Sequence, residues 1–149
     1  MIIYRLARNE FCDVSGEGAK RYGGRWNLPG HPALYGSGTA SSAMLERLTI
    51  DPELFAAERY VLYSIMEFTC PDQLVYQPKA LPAAWDAIPP MRASQEFGVE
   101  LFSLGHLCFA VPSVVDKSSI NFVINPLNKN FNKMSWKTYP LELDQRIVR

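Results

Sequence analysis

The chain has 149 residues, fifteen basic and fifteen acidic side chains, 48% hydrophobic and 12% aromatic content. That length and composition predict one globular domain with a single core, burying roughly two-thirds of its unfolded surface, and exclude the disordered regime. With no net charge there is no general field to draw the protein to nucleic acid or an anionic membrane, so an anionic ligand has to be met by locally clustered arginines.

In chain order, residues 2–6 read as a short strand that carries Arg5. Residues 9–32 are punctuated by glycine, proline and asparagine and predict a long loop with little regular structure, a kind of segment that usually carries function. Seven of the nine glycines fall between Gly16 and Gly38. Gly23 and Gly24 precede Arg25, so the chain can bend sharply there and hold a guanidinium forward. Residues 33–35 form a brief strand ending at Gly36-Ser37-Gly38. Thr39 or Ser41 then caps a helix whose Ala43, Met44, Arg47 and Leu48 follow helical spacing, with Glu46 near its second turn and Asp51-Pro52 at its end.

Residues 59–68 have strand composition and close at Cys70-Pro71. Residues 81–87 predict a short helix containing Trp85. Residues 94–104 predict a full helix with Ser94 as cap and Gly105 as stop. Strands at 107–111, 121–124 and 134–138 follow, separated by Pro112, Asn125-Pro126 and residues 128–132. This order does not alternate regularly, which argues for a single α+β domain over residues 1–149 and against a doubly wound parallel sheet.

Several chemistries are absent from the residue pattern. Cys12, Cys70 and Cys108 are an odd number without a CxxC pair, and His31 and His106 are the only histidines, so neither a disulfide framework nor a transition-metal site is expected. A reducing cytoplasm fits. No apolar run approaches the ~20 residues that span a bilayer, and the expectation is neither secretion nor membrane insertion. No GxGxxG, phosphate loop, HExxH or GxSxG motif is present. Zero net charge also removes a solubility safeguard, which favours self-association or a permanent protein partner.

The residues left as chemistry-bearing each have two readings. Arg25, beside Trp26, either grips a phosphate with its planar fork or pairs with a loop carboxylate. Arg5 is a pocket cation or an exposed strand charge. Tyr35 either stacks on a ligand ring or fills the core. Glu46 lies between Met44-Leu45 and Leu48, where a partly buried carboxylate implies a task, yet Arg47 beside it also fits a solvated helix face. Ser113 donates to a phosphate or ribose, or closes its own turn, and Asn121 is equally ambiguous.

Taken together, Gly23-Gly24-Arg25-Trp26-Asn27-x-x-Gly30, Leu34-Tyr35-x-Ser37, Ala43-x-x-Glu46, Val111-Pro112-Ser113 and Asn121-Phe122-Val123-Ile124-Asn125-Pro126 resemble the RES domain. The likeness runs from Tyr4-Arg5 to Leu143-Asp144-Gln145-Arg146 and includes Gly16-x-Gly18 and the segments around Trp85 and Gly98. Asn128 departs from it, because many members carry histidine there.

The resemblance implies a diphtheria-toxin type ADP-ribosyltransferase-like fold, with a mixed or antiparallel split β core and flanking helices. It implies the toxin of a bacterial toxin–antitoxin pair, an enzyme that cleaves the nicotinamide–ribose bond of NAD with phosphate or water as acceptor. Some members modify protein targets instead, and residue types do not separate these outcomes. A third reading is a nucleotide-binding module that has lost catalysis, against which the intact arginine, glutamate and serine argue. Carried over residue by residue, Arg25, Glu46 and Ser113 are the catalytic set, and Arg5, Tyr35, Trp26 and Asn121 bind substrate. NAD is then a substrate, inorganic phosphate a co-substrate in some members, and no cofactor or metal is implied. The implied partner is an Xre-type helix-turn-helix antitoxin covering the active site; whether the toxin is a homodimer within that complex is left open by the sequence, and zero net charge argues against DNA binding by this chain.

Overall fold

Apolar residues alternate along Ile2–Arg8, which forms strand β1 with Ile3 buried on one face and Leu6 on the other. The computed structural model describes every residue from Met1 to Arg149. Strand β2 is Leu34–Ser37, β3 Tyr63–Thr69, β4 Val75–Tyr76, β5 Cys108–Pro112, β6 Ile120–Ile124 and β7 Ser135–Pro140. Helices are α1 Glu17–Tyr22, α2 Ala40–Leu48, α3 Ala57–Tyr60 and α4 Arg92–Ser103.

The seven strands form one sheet in the order β4-β5-β6-β2-β1-β3-β7. Only β4 and β5 run parallel, so the sheet is mixed but mainly antiparallel. This is the α+β architecture expected from the irregular element order. Its split is visible at the centre. Strand β1 pairs with β3 along all seven residues, from Ile2 opposite Thr69 to Arg8 opposite Tyr63, yet meets β2 only at Tyr4 opposite Ser37. Two half-sheets therefore share one narrow joint.

Both faces of the sheet are covered, and the alternation of side chains decides which residue goes where. Ile3, Leu34, Met66, Phe68, Phe122 and Ile124 pack together on one face. The opposite face carries two separate clusters. Leu6, Ala43, Leu54, Tyr63, Ile65 and Leu141 join α2 to the β1-β3-β7 half, and Trp26, Leu101, Phe109, Val111 and Val123 join α4 to the β5-β6 half. The space between these clusters, over the β1–β2 joint, is left for the site.

Several elements differ from the sequence expectation. Residues 9–32 are not one irregular loop but contain a 3-10 turn at Asn9–Phe11 and the six-residue α1. Residues 59–62 complete α3 and a turn before β3 begins at Tyr63, because Glu58 and Arg59 break the strand alternation. Residues 81–87 are turns rather than a helix; Pro82, Pro89 and Pro90 crowd the segment and Ala84 takes a left-handed φ of 57°. Ser94 lies inside α4, where Met91 is the N-cap. Its hydroxyl instead donates to the Arg25 carbonyl at 2.7 Å, clamping the helix to the glycine-rich segment. The two-residue β4 was not anticipated. Thr39 is the cap of α2, accepting from the Ser42 amide at 3.0 Å, and Gly105, at φ 98°, follows α4 as expected. Cys12, Cys70 and Cys108 are free thiols, and no helix is long and apolar enough to cross a membrane.

Candidate active site

Arg25 and Glu46 line the same cavity, of about 550 Å³, although 20 residues of chain, β2 among them, separate them. Tyr4, Arg5 and Leu6 of β1 and Tyr35, Gly36 and Ser37 of β2 also line it, which places the cavity where the two strands part. Helix α2 supplies Glu46 and Arg47, and the turn after β5 supplies Val114 and Val115. Three guanidinium groups, those of Arg5, Arg25 and Arg47, face a single carboxylate. The overall balance of charge thus conceals a locally cationic pocket suited to a multiply charged anion.

Glu46 is held at one oxygen and free at the other. Its Oε1 accepts a hydrogen bond of 2.6 Å from Ser113 Oγ and one of 2.8 Å from Asn121 Nδ2, while Oε2 has no protein donor. The two donors are fixed in turn. Ser113 Oγ accepts from the amides of Val115 and Asp116, each at 3.1 Å, and Asn121 Oδ1 accepts from Ser37 Oγ at 3.0 Å. Helix α2 enters this network through its own cap: Thr39 Oγ1 donates to Ser42 Oγ, which donates to Ser119 Oγ, which donates to Asp116 Oδ2. A carboxylate so oriented presents one lone-pair face to whatever fills the cavity.

Arg25 is positioned by backbone. Its Nη1 donates to the carbonyls of Trp85 at 2.9 Å and Ala87 at 2.7 Å, so the segment before α4 fixes the fork and leaves the remaining guanidinium nitrogens uncommitted. Burial lowers its pKa, opposed by Glu46 and Asp86. The segment on which Arg25 rides is built tightly. Asn27, fully buried, donates through Nδ2 to the carbonyls of Ala19, Leu28 and His31 and accepts from the Tyr35 hydroxyl at 2.6 Å, which itself accepts from the Trp26 amide. Gly24 sits under that hydroxyl, where a Cβ would come within 2.6 Å of the Tyr35 oxygen. Gly98 of α4 packs directly on the Trp26 carbonyl, and a Cβ there would overlap the carbonyl oxygen.

The structure gathers Arg5, Arg25, Trp26, Tyr35, Glu46 and Asn121 around one cavity, with Ser113 behind Glu46 rather than in the lining. Ser113 is 2% exposed and its single proton goes to Glu46, so it orients the carboxylate. Asn121 donates to the same carboxylate oxygen from β6 while itself lining the cavity. Trp26 is 2% exposed and its ring packs against Trp85, Phe97 and Phe109 with centroid distances of 6.1, 5.9 and 6.2 Å, which anchors the Arg25 segment to the core. Tyr35 keeps its ring on the cavity, and its phenol, raised far above its ordinary pKa by burial, stays a hydrogen-bond donor to Asn27. Sequence reasoning passed over Arg47, because a basic residue next to a glutamate on a helix reads as an exposed pair. Ile50, Ile88 and Val115, at the cavity mouth and 71%, 83% and 43% exposed, carried no local signal.

Comparison with known proteins agrees with this arrangement. The family model described as the RES domain matches residues 2–144. A protein of Photorhabdus laumondii named Toxin Res is 33% identical over 158 residues, covering 100% of this chain and 98% of that protein. A Sphingobium protein named Prs ADP-ribosylating toxin is 35% identical over 124 residues, covering 78% of this chain and 74% of its own. Among solved structures, a chain of the M. tuberculosis MbcT–MbcA toxin–antitoxin complex superposes with a TM-score of 0.74 at 21% identity, over 94% of this chain and 83% of that one. The shared fold is the ADP-ribosyltransferase-like one. The family match spans every cavity element, from Arg5 through Arg25 and Glu46 to Asn121, and the chain belongs to the RES domain family.

Proposed function

We propose that this protein is the toxin of a toxin–antitoxin pair and that it cleaves the nicotinamide–ribose bond of NAD, with water or inorganic phosphate as acceptor. The observation that carries the reading is the meeting of three unpaired guanidiniums and one half-free carboxylate in a single cavity. A dinucleotide needs both: cations for its pyrophosphate, and a negative group at the ribose where positive charge develops as the bond breaks.

In this reading Arg25 and Arg5 neutralise the pyrophosphate. Tyr35 packs against the nicotinamide end of the cavity. Glu46 turns Oε2 toward the ribose, stabilises the oxocarbenium-like transition state and orients a ribose hydroxyl or the acceptor. The electron pair of the broken C–N bond leaves with neutral nicotinamide, and the acceptor oxygen forms the new bond to the anomeric carbon as its proton passes to solvent or to Glu46. Ser113 and Asn121 contribute by fixing the carboxylate in advance, so no reorganisation is needed during reaction.

A second reading, transfer of ADP-ribose to a macromolecule, has one observation in its favour: the Sphingobium relative carries ADP-ribosylation in its name. The partner under the first reading is an antitoxin of the Xre helix-turn-helix type that covers the cavity mouth, where Ile50, Ile88 and Val115 are exposed.

The deciding experiment incubates purified protein with NAD, with and without phosphate, and separates nicotinamide, ADP-ribose and ADP-ribose 1-phosphate; labelled NAD with lysate tests for a modified protein band. Nicotinamide release is expected. Glu46→Gln is expected to keep NAD affinity and to lower turnover by at least ~100-fold, the scale of a lost transition-state contact. Turnover equal to that of the native protein would remove Glu46 from the mechanism.

A further inference from the structure

Four of the six arginines outside the cavity, Arg8, Arg59, Arg92 and Arg146, pair with carboxylates. The three inside it do not. Arg25 at least spends one nitrogen on backbone carbonyls, whereas the Arg5 side chain makes no hydrogen bond and its buried Nε is left without a partner. Arg5 and Arg47 lie close enough for their charges to interact. Burial is the main cause that lowers the Arg5 pKa; Cys12 and Asp13 oppose it, and the Arg47 charge adds to it. Two neighbouring cations with no carboxylate in direct contact are unfavourable until an oxyanion sits between them.

Arg47 is also aimed from behind. Its Nε donates to the Tyr63 hydroxyl at 3.1 Å, and the guanidinium carbon stands 5.2 Å from the centre of the Tyr63 ring. The Tyr63 proton goes to Asp51 Oδ2 at 2.7 Å, and Arg59 donates to the same oxygen at 2.6 Å. With its proton committed to a carboxylate, the phenol oxygen is a stronger acceptor for Arg47. Tyr63 is 1% and Asp51 7% exposed, so this brace is part of the core. It occupies Nε and leaves both terminal nitrogens of Arg47 unbonded in the cavity wall.

We propose that Arg5 and Arg47 form a phosphoryl-binding subsite distinct from the Arg25 grip, with Arg47 held in register by the Tyr63–Asp51–Arg59 chain. The assignment of its natural ligand rests on the NAD reading above. Tetrahedral oxygens suit two guanidinium forks that line one cavity, and the phosphoryl group comes either from the dinucleotide itself or from free phosphate acting as acceptor.

The test titrates the purified protein with inorganic pyrophosphate and, separately, inorganic phosphate by calorimetry at fixed ionic strength, and measures NAD turnover beside it. Arg47→Met keeps the aliphatic stem and is expected to weaken anion binding by about tenfold or more, the worth of a lost charge-assisted hydrogen bond. Arg47→Lys is expected to recover part of that loss, and Tyr63→Phe, which keeps the charge but removes its anchor, to weaken binding a few-fold. If the group belongs to the dinucleotide, the KM for NAD rises more than kcat falls in Arg47→Met; if it is the acceptor, the KM for phosphate carries the change. Unaltered titration of both anions in folded Arg47→Met overturns the subsite, even with NAD turned over. Anion binding that depends on Arg47 in a protein inert toward NAD sustains the subsite and overturns the NAD reading instead.

Discussion

Ser113 shows how one proton decides a role. Its hydroxyl can donate only once, and the donation goes to Glu46 at 2.6 Å while two backbone amides occupy its acceptor side. Ser113→Ala is therefore expected to lower turnover about tenfold through a loosened carboxylate while changing NAD affinity little, because a neutral hydrogen bond to a charged group contributes about 1.5–3 kcal/mol. Parallel measurement of kcat and of NAD affinity checks this. A loss of affinity with kcat intact would make Ser113 a substrate contact after all. At this scale the sequence exposed Glu46, a carboxylate among apolar helix neighbours, and Arg25, set off by glycines. It did not expose Arg47, whose partners Tyr63 and Asp51 lie 16 and 4 residues away in sequence and meet it only in the folded core.

Among elements, α2 and α4 do the positioning. The Thr39 cap starts the helix that carries Glu46 and also feeds the Ser42–Ser119–Asp116 chain behind the site. Thr39→Ala is expected to cost about 1 kcal/mol of stability, read by chemical denaturation. Gly98 has a harsher constraint, since any side chain there meets the Trp26 carbonyl. For Gly98→Ala, about 3 kcal/mol or more is expected, in the upper range of overpacking effects, together with loss of activity as the Arg25 segment shifts. Native stability in that variant would mean that α4 does not pack as closely as described. The strands other than β4, the Thr39 cap of α2 and the body of α4 were legible from periodicity and local signals, whereas the expected Ser94 cap lies inside α4. The predicted helix at 81–87 was not formed, because three prolines and the left-handed Ala84 outweigh its composition, and Trp85 is retained by stacking on Trp26 rather than by a helix.

For the whole molecule, the cavity exists because one sheet is nearly two. A single paired position, Tyr4 opposite Ser37, joins halves that carry separate clusters on the same face. The Asp51 brace ties stability to that geometry. Hydrogen bonds from Tyr63, then from Arg59, hold the Asp51 carboxyl below its ordinary pKa. A depressed folded-state pKa stabilises the native protein above the unfolded value of about 3.9, and that contribution is lost as pH falls through the folded value. The gap in melting temperature between the native protein and Asp51→Asn should therefore be widest near neutrality and narrow below about pH 4. A gap that is constant with pH would show that the Asp51 charge adds nothing to the fold.

Local chemistry written in the chain determined most element types, the α+β class, the glycine-hinged arginine, the helix-borne glutamate and the family resemblance, because propensity, capping and motif spacing act over a few residues. Tertiary structure alone decided that Ser113 and Asn121 serve Glu46, that Trp26 faces the core, and that Arg47 joins Arg5 at the cavity. Those outcomes depend on which strands become neighbours and which protons are already committed, and both are settled only when segments 60 to 80 residues apart pack together.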